Sequence, residues 1–219
     1  MKGLKRLISK DGLPYTYVIF YAVGLALYSL PVTRQLFVIL TPYTLVLAAV
    51  SAFFFHKEWN GKTVLILFSI FVVSMLVEII GVATGKLFGL YNYNASLGIR
   101  IANVPIIIGV NWMILIYASN AILSKITTNK ILKVTGASAL MVIYDVVLEQ
   151  AAPLMNMWKF ESVCPPIRNY LMWLILALLF QSVIELFNLN TDNKPARALF
   201  IIQIFFFLIV VAYSLFFIR

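Results

Sequence analysis

Charge is scarce in this chain: of 219 residues only 11% are charged, and the whole sequence holds 8 acidic residues, 1 histidine and 1 cysteine. A lone Cys164 excludes an internal disulfide. With His56 as the only imidazole, the usual ligand set for zinc or haem is missing, so no metal is expected. No long polar stretch exists from which to build a soluble domain, and residues 1–219 read as a single integral membrane domain.

What fills the chain is hydrocarbon. Hydrophobic residues make up 63% of it and the mean hydropathy is +0.98. A helix needs about 20 apolar residues to cross a bilayer, which leaves space for six or seven spans. The hydropathy pattern places them near residues 13–30, 36–55, 63–82, 102–123, 132–153, 167–187 and 198–218. The fold class is therefore an all-α, polytopic helix bundle with about seven transmembrane helices. Residues 1–10 are basic and precede an apolar run, as in a signal peptide, but the run continues to Leu30 without a small-x-small cleavage site. It reads as a retained first helix.

Most breaks between spans are short and polar: Pro31 with Arg34, residues 56–62, Lys125 to Lys133, and Asn190 to Arg197. Two are longer and aromatic, residues 83–101 and 154–166, and these are expected to fold back over a site. Positively charged loops stay cytoplasmic. An N-in, C-out arrangement puts 11 Lys and Arg inside (2, 5, 6, 10, 57, 62, 125, 130, 133, 194, 197) and 6 outside (34, 86, 100, 159, 168, 219). The net charge of +9 then reflects topology and attraction to anionic lipid, with no nucleic-acid partner. Location in the cytoplasmic (inner) membrane is expected.

Against this background three carboxylates stand out: Glu78 in the third span, and Asp145 with Glu149 in the fifth. Carboxyl groups in hydrocarbon are costly and mark pairing, a cavity or chemistry. At ~1.5 Å per residue all three fall in the outer half of the membrane. Asp145 and Glu149, four residues apart, share one helix face, where two like charges cannot both be held cheaply. One protonated and one ionised carboxyl make an acid/base pair. The plainer reading is that donors such as Asn111 or Arg168 satisfy the pair and that Tyr91-Asn92-Tyr93 satisfies Glu78.

Gly81, Gly85 and Gly89 fit either close helix packing or a helix end that shapes the connector. Trp59, Trp112, Trp158 and Trp173 lie mostly near span ends, where interfacial anchoring is the default. His56 beside Lys57 reads as a solvated loop residue, Cys164 as an ordinary connector residue, and Asn94-Ala95-Ser96 as a chance match to a glycosylation acceptor.

The run Glu78-Ile-Ile-Gly81-Val-Ala-Thr-Gly85-Lys-Leu-Phe88-Gly89-Leu-Tyr91-Asn-Tyr93, followed by Leu97-Gly98, Val104-Pro105 and Trp112, resembles the membrane carotenoid biosynthesis proteins, of the carotenoid 1,2-hydratase or bisanhydrobacterioruberin hydratase type. In the second half Tyr144-Asp145-Val-Val-Leu-Glu149, Ala152, Trp158, and Pro166 with Asn169-Tyr170 and Trp173 resemble that family's acidic block, Trp-aromatic pair and Pro-x-x-Asn-aromatic-x-x-Trp block. The chain departs from the pattern with Gln150 where proline often follows the second acid, and with Lys159-Phe160 after Trp158.

The resemblance implies addition of water across the terminal double bond of an acyclic carotenoid. Protonation at C2 gives a tertiary cation at C1, which water captures; no cofactor is needed. Asp145 is expected to donate the proton, and Glu149 or Glu78 to position and deprotonate the water. Tyr91, Tyr93, Trp112, Tyr144 and Trp158 are expected to face the cation, and Asn111 and Asn169 complete the substrate-binding set. The implied partners are the bilayer, a membrane-dissolved carotenoid that enters sideways between helices, and other carotenoid-pathway enzymes. Three other readings compete. A carotenoid cyclase shares the protonation step, a proton-coupled transporter also uses buried carboxylates, and an assembly partner would need no chemistry. A retinal protein is excluded by the absence of lysine from residues 198–218.

Overall fold

The computed structural model describes residues 7–217. Lys2, Lys5, Arg6 and Arg219 of the charge tally, and Ile218 of the last predicted span, lie outside them. The described residues form seven α-helices: α1 (Leu13–Ser29), α2 (Pro31–Phe54), α3 (Gly61–Thr84), α4 (Ile106–Ile126), α5 (Lys130–Ala151), α6 (Ile167–Leu186) and α7 (Lys194–Phe217). Among the described residues six of these are long and apolar enough to cross a membrane, while α1, at 17 residues, is shorter. The protein is a multi-pass helical membrane bundle.

Local chemistry sets the helix ends. Proline opens α1 and α2 in the first turn, where its missing N–H costs nothing, and Pro105 and Pro166 precede α4 and α6. Residues 31–35, expected as a break, are helical because Pro31 starts α2 directly; Leu30 alone, in extended conformation, joins α1 to α2. Asn60 caps α3 by accepting the Thr63 N–H at 2.9 Å, and Asn129 caps α5 by accepting that of Leu132 at 3.1 Å. At the far end of α3, Gly85 takes φ 62°, the left-handed cap that glycine adopts without strain.

Helix α4 is the axis of the bundle, packing against α2, α3, α5, α6 and α7. Every residue from Ile114 to Ala121 is buried, so this helix is enclosed all round, with Ser119 and Asn120 hydrogen-bonded inside the bundle. The lysines of the short connections gather at one end of the bundle. There Asp192 accepts from Lys57 at 2.6 Å, Arg197 at 2.9 Å and Lys125 at 3.0 Å, which holds its carboxyl well below the ordinary range. His56 is not a solvated loop residue. It is buried, its Nδ1 lies 2.8 Å from the Tyr117 hydroxyl and its ring packs on Trp59; desolvation lowers its pKa.

The opposite end carries the two long connectors, which add two short ribbons to the all-α bundle. Strand β1 (Tyr91–Tyr93) of the first pairs antiparallel with strand β4 (Trp158–Phe160) of the second, in register Tyr91 to Phe160, Asn92 to Lys159 and Tyr93 to Trp158. The Asn94 N–H to the Met157 carbonyl and the Glu161 N–H to the Leu90 carbonyl extend this ribbon. A second short hairpin, β2 (Arg100–Ile101) with β3 (Val104–Pro105), delays the start of α4 to Ile106, four residues past its predicted onset. The connectors do fold back over the bundle.

Candidate active site

Glu78 sits near the end of α3, 4% exposed, with three donors aimed at its carboxylate. Oε2 accepts from the Tyr91 hydroxyl at 2.6 Å and the Tyr93 hydroxyl at 2.9 Å, and Oε1 from Trp112 Nε1 at 3.0 Å. The glycines explain how the connector reaches back so tightly. A Cβ on Gly81 would lie 2.5 Å from the Phe88 ring, so only glycine lets that ring lie flat on α3 and turn the chain toward Tyr91. Burial, reinforced by the neighbouring Glu78 charge, pushes both phenols well above the ordinary tyrosine range, and they remain donors.

The second acidic group is built differently. Asp145 and Glu149 project from one face of α5 toward Asn169 of α6. The Asn169 amide donates to Asp145 Oδ2 at 2.8 Å and makes a long 3.5 Å contact to Glu149 Oε1, while Trp158 Nε1 donates to Glu149 Oε2 at 3.0 Å. Asp145 is fully buried, and its Oδ1 is the one enclosed side-chain polar atom without a partner among the described residues. The donors to the pair are Asn169 and Trp158, not Asn111 or Arg168; Arg168 is exposed.

Between these groups lies a cavity of about 20 Å³, space for a single water molecule. Both Glu78 and Glu149 line it, with Asn111, Asn169 and a ring of aromatics; no lysine or arginine does. Trp112 stacks on Trp173 at 4.1 Å, Tyr91 tilts against Phe160 at 5.2 Å, and Tyr93 meets Trp158 edge-on at 5.8 Å. Two polar clefts adjoin the chamber: one shares Tyr93 and is lined by Asn92, Arg100 and Asn103, and the other shares Glu149 and Trp158 and runs toward Cys164.

Of the ten residues singled out in the sequence, eight line this chamber. Asp145 is one step removed, behind Asn169. Tyr144 is not part of the site: its hydroxyl donates to Gln203 at 3.2 Å and its ring packs on Phe200 and Phe207 of α7. Five residues before Glu149, Tyr144 lies about 140° round the helix from it and faces α7. The expectation of interfacial tryptophans also fails, since Trp112, Trp158 and Trp173 are buried in the site and only Trp59 is exposed. Sequence reasoning passed over Trp173, Phe88 and Phe160 as site residues; Trp173 was findable, four residues after Asn169 on one helix face.

No curated protein and no solved structure matches the chain significantly. The sequence model of the family described as "carotenoid biosynthesis protein" matches residues 33–218, which take in both acidic groups, both connectors and every helix from α2 onward. That span is most of the molecule, and by it the chain belongs to the carotenoid biosynthesis protein family.

Proposed function

We propose that this protein hydrates the terminal C1,C2 double bond of an acyclic carotenoid end group to a tertiary alcohol, as a cofactor-independent hydro-lyase of the inner membrane. One observation carries the reading: two carboxylates, Glu78 and Glu149, face a water-sized space inside an aromatic cage that holds no cation. An anionic, ring-lined chamber favours a carbocation, through the carboxylates and through the faces of Trp112, Trp158, Tyr91 and Tyr93, each ring contributing ~1 to 2 kcal/mol when desolvated.

The Asp145–Glu149 pair supplies the proton, with Glu149 as the member that reaches substrate. The carboxylic O–H of Glu149 breaks as the alkene π electrons form the new C2–H bond, leaving the cation at C1. A chamber water adds to C1, and its released proton passes to Glu78, a fixed acceptor held by its three donors. Exchange through the two polar clefts returns Glu149 to the acid form and Glu78 to the base form. Asn169 and Trp158 are positioning residues for Glu149. This reading transfers the role of proton donor from Asp145, which does not line the chamber, to its partner one turn away. Substrate arrives from the bilayer, with other enzymes of the pathway as suppliers.

Mass spectrometry of pigments from lycopene-producing cells, with and without the protein, tests this. A gain of one water per end group is expected. Unchanged mass with altered mobility and absorption means a cyclase instead, and an unchanged pigment profile overturns the enzymatic reading.

A further inference from the structure

The end group is only the tip of a carotenoid, and the chamber, at about 20 Å³, is water-sized: the end group enters it only as its walls yield, and the polyene lies elsewhere. A separate cleft of about 190 Å³ opens between α1, α2 and α7. On α1 it runs from Phe20 past Gly24 to Leu27, and on α2 from Phe37 to Leu45, some ~12 Å along the helix axes. On α1 the stretch lies mostly in the half nearest the Leu30 link, and on α2 it spans the middle of the helix. At its lip Val23 and Leu40 are exposed on the surface that faces lipid in a membrane, so the cleft opens sideways.

Its lining is suited to pure hydrocarbon. The few hydroxyls there are already engaged: Thr41 donates to the Phe37 carbonyl, Thr44 to the Thr41 carbonyl, and the Tyr21 oxygen accepts from Gln203 at 2.8 Å. The rings of Phe37 and Phe206 lie near parallel at 6.2 Å, with Tyr21 edge-on to Phe206. The inner wall is Met155 and Met157, from the same connector that seals the carboxylate chamber. Met157 is followed directly by Trp158, whose indole holds Glu149. Met155 and Met157 line the cleft while Trp158 and Phe160 line the acid chamber, so this segment is a partition between the two. Methionine, unbranched and pliable, is the side chain best able to yield there.

We propose that the α1–α2–α7 cleft binds the conjugated polyene chain of the substrate, and that Met155 and Met157 form the gate past which its end group reaches Glu149. The assignment rests on the carotenoid reading above, and it is tested by binding as well as by turnover. Gly24 is the lever: a Cβ there would meet Phe206 and Phe37 at 3.6 and 3.7 Å, ordinary contact, so Gly24→Ala is tolerated while Gly24→Leu fills the cleft. Val23→Trp, at the exposed lip, obstructs the opening without touching the core.

The experiment is lycopene binding to the purified full-length protein in detergent, read as pigment retained per protein and as circular dichroism induced in the visible band. The wild type and Gly24→Ala should retain lycopene with an induced signal. Gly24→Leu and Val23→Trp should lose about tenfold in apparent affinity, and their rate ratio for a short acyclic terpene over lycopene should rise by a similar factor. Equal retention and equal dichroism in all four proteins would overturn the assignment. So would loss of co-purified phospholipid with lycopene binding intact, since the cleft would then house a lipid tail. Lycopene bound with the expected variant pattern but never hydrated would uphold the cleft and refute the reaction.

Discussion

Glu185 and Glu149 have the same side chain, the same 6% exposure and the same placement near the end of a membrane helix, yet their surroundings are opposite. Glu185, at the basic end, is paired with Lys133 at 2.9 Å and accepts from Asn120 at 3.1 Å, within a network that also ties in Gln181 and Thr191. Glu149, at the connector end, shares its region with two more buried acids and has only neutral donors. A buried acid with a cation fastens helices together. Buried acids gathered without one store a cost that a packed bundle has no reason to keep unless their chemistry is used.

Substitutions at each end sharpen or break that contrast. The largest effect is expected from Glu149→Gln, which should lower carotenoid conversion ~10²- to 10⁴-fold while the melting temperature holds; conversion at the wild-type rate would remove the pair from the chemistry. Glu78→Ala strands two tyrosine hydroxyls and an indole N–H, and thermal unfolding should show a loss of roughly 2–4 kcal/mol, largely recovered in Glu78→Gln. At the basic end, Glu185→Gln leaves Lys133 without its counter-ion, so stability should fall by ~1–3 kcal/mol with pigment turnover intact. Lost turnover in that variant would erase the distinction between the ends. The smallest change is expected for Asp192→Asn. That carboxylate is partly exposed, so ~1 kcal/mol or less is at stake, and the difference should shrink as salt is raised.

The spans, the carboxylates and the two aromatic connectors were legible in the sequence because each has a local signature: a long apolar run, an acid within it, or a cluster of Gly, Tyr and Trp. The pairing of Tyr91–Tyr93 with Trp158–Phe160 was not, since a short ladder between segments so distant in sequence leaves no periodicity to read. Burial of Trp112, Trp158 and Trp173 ran against the usual interfacial preference because the indole N–H groups of the first two find carboxylate acceptors inside the bundle. Tyr144 was misplaced by proximity in sequence to Asp145, where helical phase should have decided. Glu185 went unremarked among the buried acids; only the fold brings Lys133 alongside it.

The register of the ribbon joining the connectors has a consequence for how this chain can change length. Tyr91 and Tyr93 on one strand and Trp158 and Phe160 on the other face inward, while Asn92 and Lys159 are exposed. Because side chains alternate, inserting or deleting one residue between Gly89 and Tyr93 would present Asn92 to the acids and carry the Tyr91 and Tyr93 rings out to solvent, while Trp158 and Phe160 on the partner strand keep their places. A change of two residues would keep the faces. The lid therefore works like a key with two-residue teeth, and this connector is expected to accept even changes in length and to reject odd ones, although it lies outside every membrane helix.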